Sequence, residues 1–148
     1  MFLERQMIPP EPVFSDFSSV PPLYLRRSAL DRIVQNVIIN AAKYGRDRDD
    51  IRKRPLRIFA ATNDQHYILV FQDWGRGIPT EEADKIFDEE YRGNGIQEIE
   101  VTGNGMGLFI ARDLAQNELG GDLILACNQE PTEFRLLLPT RLRDKEAR

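Results

Sequence analysis

The chain has 148 residues, 24 acidic against 20 basic side chains, a formal net charge of −4 and one cysteine. That length suits one domain able to bury a core. The charge leaves no broad basic surface for nucleic acid, a lone Cys127 rules out an internal disulfide, and no apolar run approaches the ~18–20 residues needed to span a bilayer.

Residues 1–22 hold five of the nine prolines and read as a linker or a short lead-in strand. Charges and prolines interrupt the stretch after Met1, so it has no secretory pattern. The first helix is predicted at about 28–45. Leu30, Ile33, Val34, Val37, Ile38 and Ala41 recur at helical spacing. Asn36 and Asn40 lie four apart and share a face, and Lys43 falls on the same stripe. At about 100° per residue, that stripe borders the apolar one, at the rim of the core. Asn competes for backbone hydrogen bonds inside helices. Two of them with a Lys on one rim point to ligand contact, against the plainer alternative of a solvated face.

Two strands, 55–62 and 66–72, flank the turn Thr62-Asn63-Asp64-Gln65 and should form a hairpin. DWGRGIP (73–79) follows. Asp73 ends the strand beside Gly75 and Gly77, where backbone and ligand can approach closely. A carboxylate there can accept a hydrogen bond from an exocyclic amine, which adenine carries at N6. A short helix is predicted at 80–87, then a lid at 88–102. GNGMG (103–107) is a glycine loop opening a helix at 106–119, with Leu108, Ile110, Ala111, Leu114 and Ala115 on its apolar side. Loop amides at a helix N-terminus suit phosphate. Gly120 and Gly121 end that helix. Strands 122–128 and 133–138 form a second hairpin across Asn128–Thr132. Cys127, in the apolar run LILAC, is expected in the core, as a thiol of a reducing compartment. The tail beyond 139 is expected to be exposed. Hairpins require antiparallel pairing, so the predicted fold is α+β: a two-layer α/β sandwich with a mixed, mostly antiparallel sheet covered by helices on one face.

NVIINAAKY, DWGRGIP, KIFDEEYR (85–92) and GNGMGLFIAR resemble, in order and spacing, the N, G1, F and G2 boxes of sensor histidine kinase ATP-binding domains. Those domains belong to the GHKL group and share the Bergerat fold. The resemblance covers roughly residues 23–138. It divides the chain into a lead-in at 1–22, a catalytic domain at 23–139 and a tail at 140–148. It implies ATP or ADP as ligand, with Mg²⁺ held by Asn40 and supported by Asn36. Lys43 and Arg92 would contact phosphate, and Tyr44 would line the base or ribose. Asp73 would accept from adenine N6, with Gly75, Gly77 and Ile78 forming the turn that admits the base edge. Phe87 would anchor the lid. Gly103, Asn104, Gly105, Met106, Gly107 and Leu108 would form the phosphate loop. Thr132 would stand near adenine. Asn36, Asn40, Lys43 and Arg92 would form the catalytic set.

Hydrolases of the group usually carry Glu where this chain has Asn36, and an amide cannot activate water as a base. The site should therefore hold ATP for transfer to a protein acceptor. The sole histidine, His66, lies in a predicted strand and makes a poor acceptor. The chain thus reads as a catalytic module cut from a longer protein. Its partners would be its own upstream dimerisation domain and, indirectly, a response regulator. Its setting would be cytoplasmic, with no membrane contact by this segment. A stand-alone protein acting in trans is the alternative to a fragment. Two departures from the family pattern stand out: Trp74 beside Asp73, and a lid with Asp88, Glu89, Glu90, Glu98 and Glu100 against the single basic Arg92. The acidic lid favours the competing reading of a regulatory nucleotide-binding module that transfers nothing. A serine-kinase anti-sigma factor of the same group fits less well, because that branch usually keeps the Glu.

Overall fold

The computed structural model describes residues 12–43, 56–89 and 107–145. Its elements are β1 (Pro12–Ser15), α1 (Arg27–Lys43), β2 (Leu56–Thr62), β3 (His66–Asp73), α2 (Gly107–Asn117), β4 (Asp122–Asn128) and β5 (Thr132–Pro139). The strands form one sheet in the order β1-β2-β3-β5-β4. Only β1–β2 is parallel, with α1 in the crossover between them. The other three pairs are antiparallel. The α+β sandwich with a mixed, mostly antiparallel sheet is therefore the fold.

Period-two alternation places the apolar rows. Ala60, Leu69, Leu136 and Leu123 stand side by side across β2, β3, β5 and β4, as do Ile58, Phe71, Phe134 and Leu125. Against these rows α1 buries Ala29, Ile33, Val37 and Ala41, a stripe repeating every four residues. The second helix adds Leu108, Ala111 and Ala115 to the same core. The helices run antiparallel: Gly107, which opens α2, lies by Asn36, while Arg26 before α1 pairs with Glu118 after α2 at 3.1 Å. Gly120 takes the left-handed conformation (φ 70°), and the Gly121 N–H closes onto the Ala115 carbonyl at 2.8 Å, stopping α2. A side chain at Gly121 would collide with the Leu137 carbonyl. In the β2–β3 turn, Asn63 Oδ1 accepts from the Gln65 and His66 amides at 2.9 and 2.7 Å.

The lead-in takes the strand option: β1 forms there, although it is largely exposed. Three expectations differ from the structure. The 80–87 helix is a 3₁₀ turn at Thr80–Glu82 followed by further turns. Its bonds, such as Lys85 to Glu82 and Asp88 to Lys85, all span three residues. Cys127 is exposed, because a bulge between Leu125 and Cys127 turns it to the open face opposite Glu133. The tail is docked over Thr140–Arg143, where Leu142 is buried and its carbonyl accepts the Tyr24 amide at 2.7 Å.

A cavity of about 460 Å³ lies toward the start of α1 and the β2–β3 turn, lined by Phe14, Phe17, Leu30, Val34, Tyr67 and Leu69 among others. Among the described residues, no helix is long and apolar enough to cross a membrane.

If the segment after β5 is part of the domain, Leu142→Ala should lower the unfolding free energy by about 2–5 kcal/mol, as other buried leucines do. Urea denaturation measures this. A loss below about 0.5 kcal/mol would mean a free tail.

Candidate functional site

The helix-side rows of the sheet turn polar at one end. There Asp73 of β3 stands opposite Thr132 of β5, and Thr132 stands opposite Asn128 of β4. Asp73 is only 6% exposed and Thr132 only 2%. The Gly75 amide donates to Asp73 Oδ1 at 3.0 Å, within the turn that follows β3. Burial pushes the Asp73 carboxyl up to about 6, and the Gly75 hydrogen bond works in the opposite direction. A desolvated carboxylate at a strand end has a strong need for a further donor.

The turn is stapled to the β4–β5 hairpin. Gly77 has φ 78°, and a Cβ there would lie 2.6 Å from Gln129 Cβ and 2.9 Å from the Asn128 carbonyl. Both its conformation and its packing demand glycine. The space a side chain would take at Gly77 is filled by the hairpin. Ile78, fully buried, donates its amide to the Asn128 carbonyl at 2.6 Å. Its own carbonyl accepts from Asn128 Nδ2 at 2.9 Å. Gly75 is half-buried, as is Trp74 beside Asp73.

The helix face supplies the second wall. Asn40 is 9% exposed, and Asn36 one turn earlier is half-buried. A Cβ on Gly107 would sit 4.0 Å from both Cβ and Cγ of Asn36, so the amide helix and the start of α2 meet here. Leu108 packs in the core behind them. Lys43 is the last residue of α1. Its side chain, together with Tyr44, Arg92, Gly103, Asn104, Gly105 and Met106, lies outside the described residues.

Phe87 meets Phe134 edge-on, with ring centroids 6.2 Å apart and planes at 88°. The Arg112 guanidinium lies 4.7 Å from the Phe87 centroid and pairs with Asp122 at 3.2 Å. Arg112 is thus held by a ring and a carboxylate.

Sequence reasoning missed Asn128. An Asn before a Pro-containing turn is so common a turn signal that nothing singled it out. Among the described residues there is no group of three or more His, Cys, Asp or Glu placed to hold a metal. The oxygen donors on the helix wall are amides. That set suits a hard cation which keeps most of its waters and is shared with phosphates, and so fits Mg²⁺ rather than a thiolate or imidazole metal.

The family model described as "Histidine kinase-, DNA gyrase B-, and HSP90-like ATPase" matches residues 26–142. The chain is similar to the sensor protein SrrB of Staphylococcus aureus strain NCTC 8325 / PS 47. The two are 28% identical over 110 residues, which is 74% of this chain but 18% of that protein. SrrB of strain COL matches at the same identity and coverage. The chain therefore spans less than a fifth of the length of the curated relatives it matches. Among solved structures it is similar to the mycobacterial sensor histidine kinase MprB, with a TM-score of 0.62 and 26% identity over 87% of this chain and 80% of that one.

The raised carboxyl has a stability consequence. Between its ordinary value and about 6, the folded protein holds a proton on Asp73 that the unfolded chain has released. Stability from this group therefore falls as pH rises through that window. Asp73→Asn should be more stable than the parent at pH 8, by up to about 3 kcal/mol of unfolding free energy and so with a higher Tm, and the gap should close toward pH 4. Melting curves at the two pH values check it. A gap that widens on acidification would contradict a desolvated Asp73.

Proposed function

We propose that this chain, which belongs to the family of histidine kinase-, DNA gyrase B- and HSP90-like ATPases, is the catalytic ATP-binding domain of a sensor histidine kinase. It transfers the γ-phosphoryl group of ATP to a His on a separate dimerisation domain. The observation that supports this most is the meeting of the Asn36 and Asn40 face with Gly107 at the start of α2, with the buried Asp73–Thr132 pair ending the sheet. A nucleotide bridging these walls has its base at Asp73 and its phosphates at the helix start.

In this reading Asp73 accepts from adenine N6, beside Gly75, Gly77, Ile78 and Thr132. Asn40, with Asn36 in support, would hold Mg²⁺, which supplies charge neutralisation across the phosphates. Lys43, Arg92 and the glycine loop 103–107 contact phosphate oxygens, Tyr44 lines the base or ribose, and Phe87 anchors the lid. The acceptor imidazole nitrogen attacks the γ-phosphorus, the bond from that phosphorus to the β,γ-bridging oxygen breaks, and ADP leaves. Positioning and electrostatics do most of such a transfer. Asn36 cannot take a proton from water, so hydrolysis competes poorly. The domain would extend over 23–139, and Leu142 argues for moving its end past Arg143. A cytoplasmic setting and a downstream response regulator complete the proposal. The acidic lid favours the rival reading, a module that binds nucleotide and signals by conformation alone.

Two outcomes are expected. Asn40→Ala should weaken Mg·ATP binding about tenfold or more in calorimetry, with the circular dichroism melt close to that of the parent. Equal affinity would remove Asn40 from the site. Mixed with its dimerisation domain and labelled ATP, the chain should yield an acid-labile, alkali-stable phosphoprotein, while the chain alone turns ATP over slowly. Fast hydrolysis by the chain alone would defeat the argument from Asn36. Nucleotide binding without transfer, in Mg²⁺ or Mn²⁺, would favour the regulatory module.

A further inference from the structure

We infer that Asn128, on the β4–β5 hairpin, is a positioning residue that sets the glycine turn 75–78 against Asp73 and so tunes base selectivity. This role rests on the nucleotide reading above.

The placement begins with the β4 bulge. Leu125 faces Phe134, Cys127 faces Glu133 and Asn128 faces Thr132, so Ala126 is the extra residue. If Ala126 were paired in regular register instead, it would fall opposite Glu133, Cys127 would fall opposite Thr132 and Asn128 would move past the row. Bulges are commonly used to re-aim a side chain in this way.

The contacts then converge on one peptide segment. The Asn128 carbonyl accepts the Ile78 amide at 2.6 Å and the Thr132 hydroxyl at 3.4 Å. The Asn128 side-chain amide donates to the Ile78 carbonyl at 2.9 Å and to Thr80 Oγ1 at 3.4 Å. One residue thus engages both backbone polar groups of Ile78. A carboxamide is suited to this because its NH₂ donates while the backbone oxygen accepts. Gln129 and the Asn128 carbonyl fill the space beside Gly77, so the turn cannot settle closer to the hairpin. It is fixed by contact on one side and by hydrogen bonds along its length.

The other end of the turn is tied to Asp73 through the Gly75 amide. Asn128 reaches Asp73 a second way, through Thr132, its neighbour in the sheet row. The distance from the carboxylate to the turn backbone is therefore set from both ends. A site that reads a purine edge with one buried acceptor depends on that distance, and small misplacements are costly. Ile78 is itself a core residue, so the test reads the folding of each variant as well as its binding.

The test uses Asn128→Asp and Asn128→Ala in the whole chain. Asn128→Asp keeps the volume, but once ionised it has no donor for the Ile78 carbonyl. The probes are ADP, GDP and inorganic tripolyphosphate, each with Mg²⁺, in titration calorimetry. Both variants should bind ADP about tenfold more weakly, the worth of one such hydrogen bond. The ADP-over-GDP preference should shrink several-fold, while tripolyphosphate affinity stays within twofold. ADP and tripolyphosphate weakening together would overturn the proposal, as would an unchanged ADP-over-GDP ratio. If Asn128→Ala fails to fold, Asn128→Asp carries the test. If neither folds, Asn128 is a structural residue and the inference is wrong. A parent chain that binds no nucleotide would instead sink the nucleotide reading itself, and this role with it.

Discussion

A sheet covered on one face must keep its register, because a slip of one residue exchanges its two faces. In this protein the register brings two apolar rows under the helices and then Asp73, Thr132 and Asn128 together at the end of β3, β5 and β4. The same alternation that buries Phe71 and Phe134 buries a carboxylate two residues on. Everything at the candidate site follows from that placement. The turn after β3 supplies the Gly75 donor, and the hairpin supplies the staple on Ile78. The helix that packs on the apolar rows carries Asn36 to the neighbouring wall, against Gly107, with Asn40 one turn on.

The arrangement stores a local cost. Asp73 is desolvated by burial, which raises its pKa to about 6. Gly77 takes a left-handed conformation that glycine adopts without strain, against a hairpin that leaves no room for a side chain. A buried carboxylate whose charged form is disfavoured is a recurrent feature of functional sites. The apolar cavity near Phe14, Phe17 and Leu69 lacks that character, although it is large enough for a small molecule. Its walls are aliphatic and aromatic, with Asp31 and Gln35 among the few polar groups. The buried Asp73–Thr132 pair and the contact of Asn36 with Gly107 lie away from it, toward the other end of the sheet.

Much of this was legible in the sequence. The four-residue repeat of Ile33, Val37 and Ala41 gave α1, and the alternation around Asn63 gave the β2–β3 hairpin. The Asn pair and the first glycine motif drew attention to Asn36, Asn40 and the turn after Asp73, which the structure places in a buried, polar part of the fold. What was hidden depended on partners distant in sequence. The lead-in was legible only as linker or strand, and its pairing with β2 decides for a strand. Cys127 looked like core until the bulge reversed it. Leu142 sits in a charged tail, where a lone apolar residue has no periodicity to betray its burial. Asn128 acts through Ile78, fifty residues away, and no local pattern reports that contact. The turns at 80–88 lack the i to i+4 bonds that their composition suggested.

The central claim is that the polar end of the sheet and the Asn face of α1 form one adenine-nucleotide site. An NMR titration of the ¹⁵N-labelled chain with ADP and Mg²⁺ tests it most directly. The account predicts shifts concentrated on the amides of Asn36, Asn40, Asp73, Gly75, Gly77, Ile78, Gly107 and Thr132, with Phe14, Phe17, Tyr67 and Leu69 unmoved. Shifts clustered on the cavity residues instead, or none on Asp73 and Asn40 at saturating ADP, would contradict it.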